Sequence, residues 1–160
     1  VTFIPGDAEQ LSFPSGQDLI VSCSALQWFV SPELFFKRCN ALLSGHGYFA
    51  FSTFGKENLK EIAAVTGSGL HYYSLEELKK SLSMHYNIVT AGEERIRLTF
   101  ATPLDVLYHL KHTGVTAVCR QAWTKGDLQE FCDKYAKLFS CGNAVTLTYH
   151  PLYIIARKKP

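Results

Sequence analysis

The stretch DLIVSCS, residues 18–24, decides the fold class of this 160-residue chain. It is a short, continuous apolar run, which is typical of a strand buried on both faces of a parallel sheet. A second run of this kind, GYFAFSTF at residues 47–54, follows a predicted helix that begins at Ser31-Pro32-Glu33 and ends at Gly45. A strand, a helix and a second strand in this order predict an α/β sheet that begins with parallel strands.

Local signals place the remaining elements. Residues 2–5 are predicted to end a leading strand, and Ser74, Thr102 and Thr124 are predicted to open three helices. The other predicted elements are a helix at about 57–66, strands at 86–91, 95–101 and 144–156, and a solvated tail at 157–159. The last strand is expected to run antiparallel, so the predicted fold class is α/β with a mixed sheet.

The composition excludes several classes of protein. Apolar residues make up 47% and charged residues 19% of the chain, so it is not a disordered tail. The net charge of +2 gives no support for a nucleic-acid partner, and no apolar run reaches the roughly 18 residues that span a membrane. Five cysteines without a CxxC pair, and no visible signal peptide, predict reduced, mostly buried thiols in a cytoplasmic protein.

The turns that follow the predicted strands are the expected ligand site, because an open α/β sheet binds ligands at the carboxyl ends of its strands. GDAE at residues 6–9 follows the first predicted strand. SCSALQWF at residues 22–29 begins in the last residues of the second predicted strand and continues beyond it. Asp7, in the first of these turns, is a candidate ligand-binding residue. The alternative is that Asp7 only shapes the turn.

These two segments, GDAExLxFP at residues 6–14 and DLIVSCSALQWF at residues 18–29, resemble the second half of the S-adenosylmethionine site of class I methyltransferases. The resemblance implies that the Asp7 carboxylate accepts from the adenine amino group and that the backbone N–H of Ala8 meets the ring. It also implies that Ser22 lies beneath the cofactor. The fold would then be the carboxyl-terminal part of a Rossmann-like methyltransferase sheet.

Further motifs narrow the resemblance to the malonyl-acyl-carrier-protein O-methyltransferases of biotin synthesis. They are LQW at 26–28, FSTFG at 51–55, LKHTG at 110–114 and TYH at 148–150. The resemblance covers essentially the whole chain and implies methyl transfer from S-adenosylmethionine to the free carboxylate of a malonyl thioester. A carboxylate is already ionised at pH 7, so the reaction needs aligned atoms rather than a general base.

The resemblance also implies donors that orient the substrate carboxylate, and the candidates are Gln27, Trp28, Tyr149 and His150. Side chains alternate along a strand, so only one of Tyr149 and His150 is expected to face the pocket. The alternatives are a core aromatic role for Trp28 and a purely structural role for His150.

The implied partner is a malonyl-loaded acyl carrier protein, which is acidic and is therefore expected to bind a basic surface. A helical insert at about 102–142 is predicted to form a lid that receives the pantetheine arm. Its candidate basic side chains are Lys111, His112, Arg120 and Lys125. The alternative is an ordinary solvated helix face. No nucleic-acid or membrane partner is expected.

The chain departs from the family at its beginning. The family's glycine-rich loop, which holds the methionine end of the cofactor, and its ribose-binding acidic residue are not in residues 1–160. We therefore interpret the chain as a carboxyl-terminal portion that is inactive alone, with its first segment displaced, disordered or paired with another chain. Two alternatives stay open: a methyltransferase for another small carboxylic acid or a quinone precursor, and an inactive scaffold or interaction piece.

Overall fold

A computed structural model of the chain describes residues 2–115 and 123–160. The strands are β1 Gln17–Cys23, β2 Leu43–Phe54, β3 Tyr86–Glu93, β4 Ile96–Phe100, β5 Ser140–Cys141, β6 Ala144–Tyr149 and β7 Pro151–Lys158. The α-helices are α1 Pro32–Leu42, α2 Lys60–Thr66, α3 Leu75–Leu82, α4 Pro103–His112 and α5 Lys125–Phe139, and a 3-10 turn covers Leu26–Trp28.

These elements group into two compact units. The first unit consists of Val1–Gly55, Tyr72–Glu93 and Pro151–Pro160. The second unit consists of Lys56–His71 and Glu94–His150. The chain therefore passes between the units four times, and each unit is assembled from segments that are distant in sequence.

The first unit is built on a four-stranded sheet in the order β1-β2-β7-β3. β1 and β2 are parallel, and β7 is antiparallel to both β2 and β3. The predicted α/β fold with a mixed sheet and an antiparallel last strand is therefore confirmed.

Two predicted strand arrangements are wrong. The single strand predicted at 144–156 is two strands in different sheets, because the chain leaves β6 at His150 and enters β7 at Pro151. The strands predicted as a pair at 86–91 and 95–101 are not partners either, since β3 pairs with β7 and β4 pairs with β6. Strand partners depend on long-range packing, which hydrophobic patterns along the chain do not encode.

The core of the first unit lies between one face of this sheet and helices α1 and α3. The rings of Phe36 and Phe51 lie 5.9 and 5.0 Å from the ring of Phe49, measured between centroids. On β1, by contrast, Leu19 is 56% exposed and Val21 is 57% exposed. The prediction that β1 is buried on both faces is therefore wrong for this chain.

The second unit combines a three-stranded antiparallel sheet, in the order β4-β6-β5, with helices α2, α4 and α5. Val106 from α4, Tyr135 from α5 and Leu147 from β6 are fully buried in its core. The predicted insert at about 102–142 contributes α4 and α5 to this core. Its role as a lid stays a prediction.

Both ends of the chain differ from the prediction. Residues 2–5 form no strand. The tail predicted at 157–159 begins inside β7, and Lys158 Nζ donates to the carbonyl oxygen of Leu43 at 2.8 Å. The aliphatic stems of basic residues pack along sheet edges, so a basic run at a chain end need not be a solvated tail.

The cysteines are less buried than predicted. Cys39 is buried, and its pKa is raised to about 12 by burial, so it is an inert thiol. Cys23 and Cys141 are free and exposed, while Cys119 lies outside the described residues. Among the helices of the described ranges, none is long and apolar enough to cross a bilayer.

Candidate functional site

The turn at residues 7–11 is the first predicted cofactor element. Asp7 Oδ1 accepts from the backbone N–H of Glu9 at 2.9 Å, and the Asp7 carbonyl accepts from Gln10 and Leu11, each at 2.9 Å. Asp7 therefore shapes its own turn. Its side chain is also exposed, and because a carboxylate offers about four lone-pair sites, it keeps the capacity to accept from a ligand.

Glu9 attaches this turn to the start of α1. Its carboxylate accepts from the backbone N–H groups of Val30 and Ser31, both at 2.9 Å. The Ser31 side chain, predicted as the N-cap, makes no capping hydrogen bond. Glu9 binds the two backbone N–H groups just before the helix, and its negative charge suits the positive end of the helix. Sequence analysis missed Glu9 because its partners are 21 and 22 residues away.

Arg38 holds the same turn from the middle of α1. Its guanidinium donates to the carbonyl oxygens of Ala8, Glu9 and Leu11. A guanidinium has five N–H donors in a fixed plane, so one side chain can serve several carbonyls at once. Nothing in the local sequence pattern distinguishes Arg38 from an exposed helix arginine.

A cavity of about 320 Å³ opens beside this turn and over β1. Ala8 and Ser22, two of the three residues predicted to bind cofactor, line it together with apolar side chains that include Phe13, Ile20 and Phe35. Its volume lies at the lower end of the range for ligand pockets, roughly 300–1,000 Å³. The structure therefore places these two residues at one cavity, with Asp7 next in the chain.

Gln27 and Trp28 lie in the 3-10 turn that follows β1. Gln27 Nε2 donates to the carbonyl oxygen of Ser24 at 2.5 Å, and Thr53 Oγ1 donates to Gln27 Oε1 at 3.1 Å. Gln27 thus links the ends of the two parallel strands. Trp28 is 48% exposed, so it is not the core aromatic residue of the alternative interpretation.

Tyr149 lies at the end of β6 in the second unit. Its hydroxyl is 2.9 Å from Nε2 of His109, which precedes the LKHTG motif in α4. Burial raises the pKa of Tyr149, and a hydrogen bond with Thr113 offsets part of that effect. The hydroxyl is therefore protonated at neutral pH and can act as a donor.

His150 is buried and held at two atoms. Its ring Nδ1 accepts from the backbone N–H of Glu57 at 3.1 Å. Its backbone N–H donates to Asn58 Oδ1 at 3.2 Å. Because Nδ1 accepts, the neutral ring carries its proton on Nε2. These contacts agree with the structural role that was the alternative for His150, and its role toward a substrate stays a prediction.

The candidate basic surface belongs to the second unit. Lys111 and His112 are exposed at the end of α4, and Lys125 is exposed at the start of α5. Arg120 lies outside the described residues. The three described side chains are accessible to a partner, and docking of a carrier protein on them stays a prediction.

Glu57 is expected to stabilise the fold in a pH-dependent way. Hydrogen bonds from Arg95 and then Lys60 lower its pKa from 4.5 to about 2. A carboxyl group with a lowered folded pKa stabilises the fold above its unfolded pKa, and that contribution is lost as the pH falls through the folded value. Glu57→Gln should therefore lower the free energy of unfolding at neutral pH.

This deficit should shrink as the pH falls from about 4.5 to about 2. Urea unfolding over that range measures it, with Glu94→Gln, at an exposed carboxylate, as the control. A deficit that is the same at every pH would contradict the prediction.

Comparisons with known proteins agree with the motifs. A family model described as a methyltransferase domain matches residues 1–51. A malonyl-acyl-carrier-protein O-methyltransferase of Bacteroides thetaiotaomicron is 56% identical over 99% of this chain and 65% of that relative. A protein of the same name from Bacteroides fragilis is 58% identical over 99% of this chain and 33% of that relative. One from Porphyromonas gingivalis is 46% identical over 98% of this chain and 63% of that relative.

The chain thus spans less than two thirds of the length of each of these relatives.

Solved structures support the fold alone. A methyltransferase structure from Bacillus halodurans aligns with a TM-score of 0.65 at 16% identity, covering 97% of this chain and 70% of that one. The YcgJ protein of Bacillus subtilis aligns with a TM-score of 0.58 at 14% identity and the same coverage.

Proposed function

We propose that the protein containing this chain is a methyltransferase that methylates the free carboxylate of a malonyl thioester on acyl carrier protein. The observation that carries the proposal is identity of 46–58% over 98–99% of the chain to three relatives that bear this name. The product would be a methyl ester, and the resemblance assigns this step to biotin synthesis. The protein's location would be the cytoplasm.

S-adenosylmethionine is the proposed methyl donor. The described residues include three candidates that would hold part of this cofactor. Asp7 would accept from the adenine amino group, the Ala8 N–H would meet the ring and Ser22 would lie beneath the cofactor. The observation in favour is that Ala8 and Ser22 line one largely apolar cavity beside the exposed Asp7. When bound, the cofactor supplies an electrophilic methyl group on a sulfonium sulfur.

The protein's task in this reaction is to orient a carboxylate that is already charged. The pKa of a carboxyl group is about 4, so no base is needed at pH 7. Neutral donors suit this task because they aim the oxygen without quenching its charge. The candidates are the indole N–H of Trp28 and the amide of Gln27 in the first unit, and Tyr149 and His150 in the second.

A substrate panel tests the proposal. The full-length protein that contains this chain is assayed with S-adenosylmethionine and malonyl acyl carrier protein, malonyl-CoA or free malonate. We expect the highest kcat/KM with the carrier-bound substrate, because a carrier protein adds binding energy away from the reacting carboxylate.

Equal rates on free acids would contradict carrier-protein recognition and favour another small carboxylic acid as substrate. Binding of S-adenosylhomocysteine without turnover of any acid would contradict the proposed reaction. The absence of both binding and turnover would favour a scaffold.

A further inference from the structure

Glu61 is a buried carboxylate with one binding partner on the neighbouring strand. It lies in the first turn of α2 and is 2% exposed. Its Oε2 accepts from the backbone N–H of Thr148 at 3.0 Å, and its Oε1 accepts from Thr148 Oγ1 at 2.5 Å. Burying a charge is costly unless hydrogen bonds compensate it, so the fold tolerates Glu61 because both oxygens are engaged by Thr148.

The residues just before Glu61 bind the same strand end. Leu59 N–H donates to the Thr148 carbonyl at 2.8 Å, Asn58 accepts from the His150 N–H, and Glu57 N–H donates to His150 Nδ1. Leu59 has a positive φ of 53°, which is unfavourable for a leucine. The surrounding hydrogen bonds hold this conformation in place.

Residues 57–61 thus fix Thr148 and His150 on both sides of Tyr149. Tyr149 and His150 are the two candidate donors of the second unit. The two hydrogen bonds of Glu61 described above go to Thr148 and not to these two residues. The hydrogen bonds of the carboxylate go to the backbone N–H and the hydroxyl of Thr148, which precedes both candidates in the chain.

We propose that Glu61 is a positioning residue, which acts through Thr148 to hold Tyr149 and His150 in the geometry that orients the substrate carboxylate. The inference rests on the proposed function. Its physical basis is that β6 pairs with β4 as far as Tyr149, so the two hydrogen bonds from Thr148 to Glu61 act where the ladder ends and the chain continues to His150.

The test compares Glu61→Met with Glu61→Gln in the full-length protein. Methionine removes both acceptors at similar volume. Glutamine can accept from the Thr148 N–H and donate to its hydroxyl, so it should retain the geometry without the charge. Tyr135→Phe is the matched control, because it removes another buried hydrogen bond to β6, from Tyr135 Oη to the Thr146 carbonyl at 2.7 Å.

We expect Glu61→Met to lower kcat for malonyl acyl carrier protein about 10-fold, while affinity for S-adenosylhomocysteine changes less than about twofold. Glu61→Gln should restore most of kcat. The 15N chemical shifts of the His150 ring should change in Glu61→Met and stay unchanged in Tyr135→Phe. Should Glu61→Met not fold, Thr148→Val, which removes only the hydroxyl donor, takes its place in the same measurements.

An unchanged kcat and His150 spectrum in Glu61→Met would overturn the inference. So would an equal loss of kcat in Tyr135→Phe, since that would indicate general destabilisation. If the wild-type protein turns over no malonyl substrate, the proposed function fails, and the His150 spectra of the same variants still decide whether Glu61 positions this strand end.

Discussion

Arg38→Met is expected to weaken binding of S-adenosylhomocysteine to the full-length protein by about 100-fold, which corresponds to about 2.8 kcal/mol. The variant keeps most of the apolar stem of Arg38 and removes the donors to the carbonyls of Ala8, Glu9 and Leu11. Hydrogen bonds from a charged group contribute about 1.5–3 kcal/mol each, so losing this anchor should release the turn.

The release matters because the turn carries both predicted adenine contacts. Asp7 and Ala8 must stay ordered for a carboxylate and an N–H to meet the same ring. Without Arg38, the Glu9 carboxylate is the main tether that remains between the turn and α1. The ligand would then have to order the turn on binding, which costs conformational entropy.

Isothermal titration calorimetry measures this effect, and Lys37→Met is the control. Lys37 is the exposed neighbour of Arg38 on α1, so the substitution removes a positive charge without touching the turn. An affinity in Arg38→Met within a few-fold of that of Lys37→Met would show that the turn is not part of the cofactor site.

Phe49→Ala is expected to lower the free energy of unfolding by about 3–5 kcal/mol. Phe49 is fully buried in the middle of β2. Its ring centroid lies 5.0 Å from that of Phe51, 5.9 Å from that of Phe36 and 5.9 Å from that of Tyr86. Removing this ring leaves a cavity at the centre of an aromatic cluster, which the β-sheet backbone is too rigid to fill.

Urea unfolding followed by circular dichroism gives the measurement, with Phe3→Ala as the control. Phe3 is 88% exposed, so its removal should change stability by less than about 0.5 kcal/mol. Similar losses in the two variants would contradict the packing of the first unit. A large drop in the urea m-value of Phe49→Ala would instead indicate that the unit no longer unfolds as one cooperative body.

Helix starts were predictable because their signals are local. Ser74, Thr102 and Thr124 each accept from the backbone N–H three residues later, and the acidic side chain at that position accepts from the backbone N–H of the cap residue. Such capping boxes depend on four consecutive residues, so the sequence contains all the information needed. Ser31 looked equally suitable, yet its side chain makes no capping hydrogen bond, and a distant carboxylate, Glu9, accepts from the Ser31 backbone N–H.

The candidate cofactor residues lie in recognisable sequence motifs, whereas the residues that support the candidate sites do not. The motifs around Asp7 and Ser22 resemble those of methyltransferases, and the structure places Ala8 and Ser22 at one cavity. The supporting residues Arg38 and Glu61 have no motif of their own. Arg38 reaches carbonyls 27–30 residues away, and Glu61 binds a strand 87 residues away.

The sequence by itself determined the α/β class, the helix starts and the resemblance to methyltransferases, because each depends on a short run of residues whose order is directly visible. Tertiary structure alone decided that β6 and β7 part at His150 and enter different sheets. It also decided that DLIVSCS, as β1, leaves Leu19 and Val21 exposed. The physical reason is that apolar patterning specifies which residues can be buried, whereas the partner that buries them is chosen by packing across the whole chain.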